Sequence, residues 1–218
     1  MSGTKSAGKS FNFMEEKTHI IDFFNELANR WDDIAENNER SIDFIVEYAD
    51  LKPECTVLDI GCGTGILESR ILKFNPKKIL AIDISMNMIL KAKQKFKDSR
   101  IEFLNADIYT LCENGFDRAF IFNAYPHFIE KENLAEKLYG CLKQNGRFII
   151  AHDHSRHEVN SRHDKTIKRE ASVSFELKSA EEEAVIWKKF FKIDTLIDKE
   201  NLYMISGVKN NIFTATFV

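Results

Sequence analysis

Val57-Leu58-Asp59-Ile60-Gly61-Cys62-Gly63-Thr64-Gly65 is the stretch from which the rest of this chain can be read. Val57 to Ile60 is short and aliphatic enough for one buried strand. Glycines follow at alternate positions, and Ile66 to Phe74 then sets Leu67, Ile71 and Phe74 at helical spacings of four and three. Strand, Gly-rich turn and helix form the opening unit of a nucleotide-binding α/β fold, because glycines let the backbone turn sharply and approach a ligand where a Cβ would collide. The pattern is G-x-G-x-G, with no Gly-Lys-Ser/Thr. A P-loop is therefore excluded, and a dinucleotide-binding turn is disfavoured.

Downstream, Lys78-Ile79-Leu80-Ala81-Ile82-Asp83 is a second apolar run ending in an acid. A carboxylate at that strand tip is placed to accept hydrogen bonds from both hydroxyls of an adenosine ribose. A third strand, Ile101 to Leu104, ends near Asp107 in Asn105-Ala106-Asp107-Ile108, where it can meet an adenine amino group. With the LDIGCGTG turn, the AIDIS-x-x-M strand end, the NAD segment and LKQNGRFII in this order, residues 50 to 209 resemble the class I S-adenosylmethionine-dependent methyltransferases. The likeness is to the small-molecule branch typified by enzymes of quinone biosynthesis.

The resemblance implies a Rossmann-like three-layer α/β sandwich whose mostly parallel sheet has strand order 3-2-1-4-5-7-6 with the last strand antiparallel. It implies S-adenosylmethionine as cofactor and S-adenosylhomocysteine as product. The cofactor site it implies comprises Asp59, Gly61, Cys62, Gly63, Gly65, Asp83, Ile84, Met88, Asp107, Ile108 and Asn123.

Length and composition fit one domain with a modest cap. A formal charge of −3, with Lys and Arg interspersed among acids, gives no electrostatic case for nucleic acid. No apolar run approaches the ~20 residues that span a bilayer, and the N-terminus lacks a signal-peptide core. Cys55, Cys62, Cys112 and Cys141 show no C-x-x-C spacing, so neither a zinc knuckle nor a disulfide framework is expected. A cytoplasmic, reduced setting follows as the expectation; oligomeric state is not legible.

Residues 1–17 read as a disordered tail, 18–53 as a helical cap, 54–209 as the core and 210–218 as a C-terminal tail. In the cap, Ile20, Phe24, Leu27 and Trp31 predict an amphipathic helix beginning near Thr18, and a second helix runs from about Glu39 to a stop at Pro53. Phe23, Phe24 and Trp31 are candidate pocket residues. Ser85 is a helix cap, and the fourth strand, Phe116 to Asn123, ends in Asn123-Ala124-Tyr125-Pro126-His127 at the ligand-bearing edge. Asn145-Gly146 is expected to end the next helix before a fifth strand, Arg147 to Ala151. Ser179-x-x-Glu182 is a capping box for a helix carrying Ala184, Trp187 and Phe191, and a tight hairpin of two antiparallel strands closes the sheet.

Four histidines fall between Ala151 and His163, at the carboxyl end of the fifth strand. Ser155-x-x-Glu158 is another capping box, so Arg156, Asn160 and His163 share one face of the helix it opens, while His152 and His154 share a side of an extended segment. Three roles stay open for the cluster. His154, His152 or His127 can be a general base, since imidazole titrates near neutrality, with Tyr125, Arg156, Asn160, His163 and Trp31 holding substrate. His152, His154 and His163 can instead bind a divalent metal, or the cluster is a solvated polar face. Asn-Ala-Tyr-Pro at the fourth strand's end departs from the Asn/Asp-Pro-Pro-Tyr tetrad that grips a planar nitrogen in the resembled superfamily. The expected activity is methyl transfer to an O, N or S atom of a small molecule, with a metal-using enzyme or a non-catalytic cofactor-binding subunit as rivals.

Overall fold

β1 (Thr56–Ile60) is the third strand of a seven-stranded sheet, with β2 (Lys78–Asp83) and β3 (Ile101–Asn105) on one side. On the other side lie β4 (Phe116–Phe122), β5 (Leu142–His152), β7 (Leu202–Lys209) and the edge strand β6 (Phe191–Lys199). This computed structural model describes residues 5–167 and 174–210, with side chains described for 14–162 and 174–210. β1 pairs in parallel with β2 and β4, whereas β7 runs antiparallel to both β5 and β6. The order is β3-β2-β1-β4-β5-β7-β6, as the resemblance implies.

Both sheet faces are covered, because successive strand residues point to opposite sides. Leu58, Ile60, Leu80, Ile82, Ala119, Ile121, Phe148 and Ile150 join α6 (Lys131–Cys141) and α8 (Ala180–Trp187) in one core. Val57, Ile79, Ala81, Phe120, Phe122, Ile149 and Ala151 join α3 (Glu39–Tyr48), α4 (Glu68–Ile71) and α5 (Met86–Lys95) in the other. The local caps form as the sequence predicts: Ser85 accepts from Met88 N, and Ser179 and Glu182 close their capping box. Ser155 and Glu158 do the same ahead of α7 (Arg156–Ile167).

Four local expectations are corrected. α1 spans Lys5–Leu27, so residues 5–17 are helix and not tail; no proline interrupts them, and Thr18 Oγ1 bonds back to Met14 O at 2.9 Å within the same helix. Asn145 and Gly146 lie inside β5, which starts at Leu142 with Asn145 at φ 63°. Phe191 belongs to β6, not to α8, where it still packs on Trp187. The segment after the Gly-rich turn is a single α turn continued as a 3-10 turn over Leu72–Phe74. Residues 211–218, assigned to the C-terminal tail, lie outside the described residues.

Candidate functional site

The carboxyl ends of β1 to β5 meet at one edge of the sheet, and strand order reverses between β1 and β4. Such a switch point opens a crevice. The turn after β1 passes through Gly61 at φ 72° and Gly63 at φ 56°, a region that side chains rarely adopt. Gly61 N and Cys62 N both donate to Ile82 O, at 2.8 and 3.0 Å, fastening the turn to β2. A Cβ on Gly61 would stand 2.8 Å from Ala124 Cβ. Asp83, at the tip of β2, accepts from Gly63 N at 2.9 Å and from Ser85 N at 2.8 Å. Burial pushes its carboxyl up to about 6, while those two N–H groups pull the other way.

Over this edge lies a cavity of about 610 Å³, within the usual range for small-molecule sites. Gly61, Cys62, Gly63, Asp83, Ile84, Met88, Asp107, Ile108 and Asn123 line it from the sheet side. α1 and α2 (Trp31–Ile34) roof it with Phe23, Phe24, Leu27 and Trp31. The roof is tied down by polar contacts: Asn25 Oδ1 accepts from Ser85 Oγ at 2.8 Å and Asn87 N at 3.1 Å, Thr64 Oγ1 donates to Asp32 at 2.6 Å, and Lys17 pairs with Asp107.

Three of the histidines, His127, His152 and His154, reach the same cavity. His127 stands edge-on to Phe24 at 4.9 Å between ring centres, and His152 is buried against Tyr203. His154 is organised differently. Its Nδ1 lies 2.8 Å from Asp153 Oδ1, and Asp153 is fully buried. Asp153 also accepts from Asn123 Nδ2 at 2.8 Å and from Asn38 N at 2.7 Å. An acceptor-only carboxylate makes Nδ1 the donor, leaving Nε2 as the proton-accepting nitrogen. Asn123 holds a left-handed φ of 52° at the end of β4, where it can serve this network.

Not every residue singled out in the sequence lines the cavity. Asp59 is buried beneath the turn, next to Glu68, and Gly65 is backed by the Phe96 ring, 2.7 Å from where its Cβ would stand. Tyr125 turns into the core, donating to Glu183 and accepting from Trp187 Nε1, both at 3.0 Å. Arg156 is held by Asp198 at 2.9 Å, and Asn160 pins Leu177 through both N and O. The His163 side chain lies outside the described residues. Among the described residues no group of three or more His, Cys, Asp or Glu is placed to hold a metal ion, and no helix is long and apolar enough to cross a membrane.

Residues 57–146 match the methyltransferase domain family. Residues 57–146 thus carry a methyltransferase domain. Over 137 residues it is 32% identical to malonyl-[acyl-carrier protein] O-methyltransferase of Acetivibrio thermocellus, covering 61% of this chain and 48% of that one. It is 30% identical over 117 residues to phosphoethanolamine N-methyltransferase 2 of Caenorhabditis elegans, covering 51% and 27%. The chain thus spans between about a quarter and a half of the length of these curated relatives. Among solved structures, magnesium protoporphyrin IX methyltransferase of Synechocystis PCC 6803 with bound S-adenosylhomocysteine shares the fold. Its TM-score is 0.67 at 19% identity, covering 89% of this chain and 100% of that one.

At this site, sequence reasoning missed Asp153, Glu68 and Lys17. Asp153 stands inside the quoted histidine cluster, but its contacts come from β4 and from the residue ahead of α3, far away in the chain. Glu68 did leave a signal: it precedes Ile71 by three, on the helix face that packs inward.

Proposed function

We propose that this chain transfers a methyl group from S-adenosylmethionine to an O, N or S atom of a small molecule. The supporting observation is one cavity that brings the Gly-rich turn and Asp83 together with the Asp153-oriented His154. The residues present suit such a cofactor. Asp59, Glu68 and Asp83 cluster at the turn without an ion-pair partner among the described residues, and the oxygens of Asp59 and Glu68 lack hydrogen bonds of regular geometry there. Buried acids in this state call for positive charge.

In this assignment Asp83 holds the ribose hydroxyls. Asp107, Ile108, Ile84 and Met88 surround the adenine, and Gly61, Cys62, Gly63 and Asn123 take the methionine end, with Asp59 acting from beneath. When bound, the cofactor supplies a methyl group already activated by the positive sulfur. The protein then has to hold the acceptor atom in line with that methyl, within ~3–3.5 Å. Phe23, Phe24, Leu27 and Trp31 exclude water from the acceptor side, and His154 Nε2 takes the proton that an O–H, N–H or S–H acceptor releases. Asp153 fixes the tautomer. Tyr125, Arg156 and Asn160 are engaged elsewhere, so acceptor contacts fall to Trp31, His127, His152 and the roof.

Screening a metabolite panel for S-adenosylhomocysteine formation tests the assignment. Wild type is expected to turn over at least one small molecule, and His154→Gln to bind S-adenosylhomocysteine normally while transferring slowly. Calorimetry showing no affinity for either form of the cofactor would refute it.

A further inference from the structure

Beneath the Gly-rich turn, at the back of the cofactor site, sit two acids whose protonation the assignment above leaves open. Asp59 is 1% exposed and Glu68 is 0% exposed, on β1 and at the first residue of α4. Glu68 Oε2 lies 3.3 Å from where a Gly65 Cβ would stand, so the pair underpins the turn itself. None of the four carboxyl oxygens makes a hydrogen bond of regular geometry to a described residue. Two ionised carboxylates cannot be kept side by side in such a place; one of them has to retain its proton.

Among the described residues no cation forms an ion pair with either acid. Asp83 on β2 adds a third acid, and the Cys62 thiol in the turn is pushed well up by burial and by these three acids, so it stays neutral. Lys95 on α5 is the cation within electrostatic reach of Glu68, and it is drawn away to Asp32 at 2.5 Å. Burial raises the Glu68 carboxyl to about 7, and burial together with the neighbouring Glu68 charge raises Asp59 well above its ordinary range. The pair therefore keeps at least one proton at neutral pH.

We propose that Asp59 and Glu68 share one proton in the cofactor-free protein and release it to solvent when the positively charged end of the cofactor settles on the Gly-rich turn. The proposal rests on the cofactor assignment above and makes Glu68 a positioning residue, acting on the cofactor through Asp59. A cation arriving at the turn favours the doubly ionised pair, so the proton leaves as the positive charge enters. The linkage has a fixed sign. Proton release on binding makes affinity rise with pH, by up to about tenfold per pH unit for one proton.

The test is calorimetric titration with S-adenosylmethionine at pH 7 in two buffers of different ionisation enthalpy, repeated at pH 7.5 and 8. Asp83, raised to about 6, is mostly ionised at pH 7 and more so at pH 8, so its own share is at most about 0.1 proton and shrinks across the series. Wild type is expected to release between about 0.3 and 1 proton per cofactor bound across pH 7 to 8, with affinity rising as pH rises. Glu68→Gln, which keeps the size and removes the neighbouring charge that helps hold the proton on Asp59, is expected to release fewer protons than wild type. Binding without proton release in wild type, or full release in Glu68→Gln, would overturn the proposal. The wild-type stoichiometry decides even if the variant folds poorly. Absence of any binding would instead refute the cofactor assignment, and this proposal with it.

Discussion

Replacing Asp83 by alanine is the perturbation whose consequence can be worked furthest. The carboxylate is held by Gly63 N and Ser85 N and lines the cavity. Each oxygen keeps a further lone pair for a ribose hydroxyl. A hydrogen bond to a charged group contributes roughly 1.5–3 kcal/mol, so two ribose hydroxyls account for about 3–6 kcal/mol. That converts to a Kd weaker by about 10²- to 10⁴-fold. Alanine also leaves the buried Ser85 N–H unsatisfied, which costs about 1–3 kcal/mol of folding stability. Calorimetry with S-adenosylhomocysteine measures the first quantity, and urea unfolding followed by circular dichroism measures the second. Asp83→Asn is the companion variant. Its amide keeps the shape but turns a donor towards the N–H of Gly63 or Ser85, so it too should weaken binding by more than about tenfold. A folded Asp83→Ala protein that binds within threefold of wild type would refute the placement of the ribose.

Other consequences can be checked separately. Asp153→Asn should slow methyl transfer by about 10²- to 10⁴-fold on an acceptor that needs deprotonation, with S-adenosylhomocysteine affinity unchanged; equal turnover would dismiss the tautomer assignment. Lys131 pairs with the buried Glu183 at 2.5 Å, so Lys131→Met strands that carboxylate and should cost about 3–5 kcal/mol in urea unfolding, where a loss under 1 would contradict it. The folded-state Glu68 carboxyl titrates near 7 against an ordinary 4.5, so the native state binds the extra proton between those values. Stability contributed this way is present at low pH and lost as pH rises through 7. Wild type should therefore fall relative to Glu68→Gln between pH 5 and 8, by on the order of 2–3 kcal/mol, and a rise would reverse the sign.

What could be read in the sequence was whatever local pattern determines. Val57 to Gly65 announces strand and turn because aliphatic residues and glycines at fixed offsets leave few alternatives. Asp83 follows from being the acid that ends the next aliphatic run. The helices opened by Ser85, Ser155 and Ser179 start where their caps place them, since capping is a contact of three residues' reach. Contacts across the chain were harder to foresee. Arg156 and Asn160 do lie one helical turn apart, but their partners, Asp198 and Leu177, belong to segments whose approach no periodicity reveals. Tyr125 follows Asn123 at the ligand edge, yet the 3-10 turn over Tyr125–His127 sends the first ring into the core and brings the imidazole to the cavity. Asp153 stands between two histidines in the sequence, and only the approach of Asn38 and Asn123 makes it the group that orients His154.

The central claim is that adenosine lies across the carboxyl ends of β1, β2 and β3, and a crystal structure of the complex with S-adenosylhomocysteine tests it most directly. The prediction is both ribose hydroxyls within about 2.6–3.2 Å of the Asp83 carboxylate, and the thioether sulfur turned towards the compartment that holds His154. Adenosine bound elsewhere, or this crevice filled by the side chains of α1 while the ligand is present at saturating concentration, would contradict it.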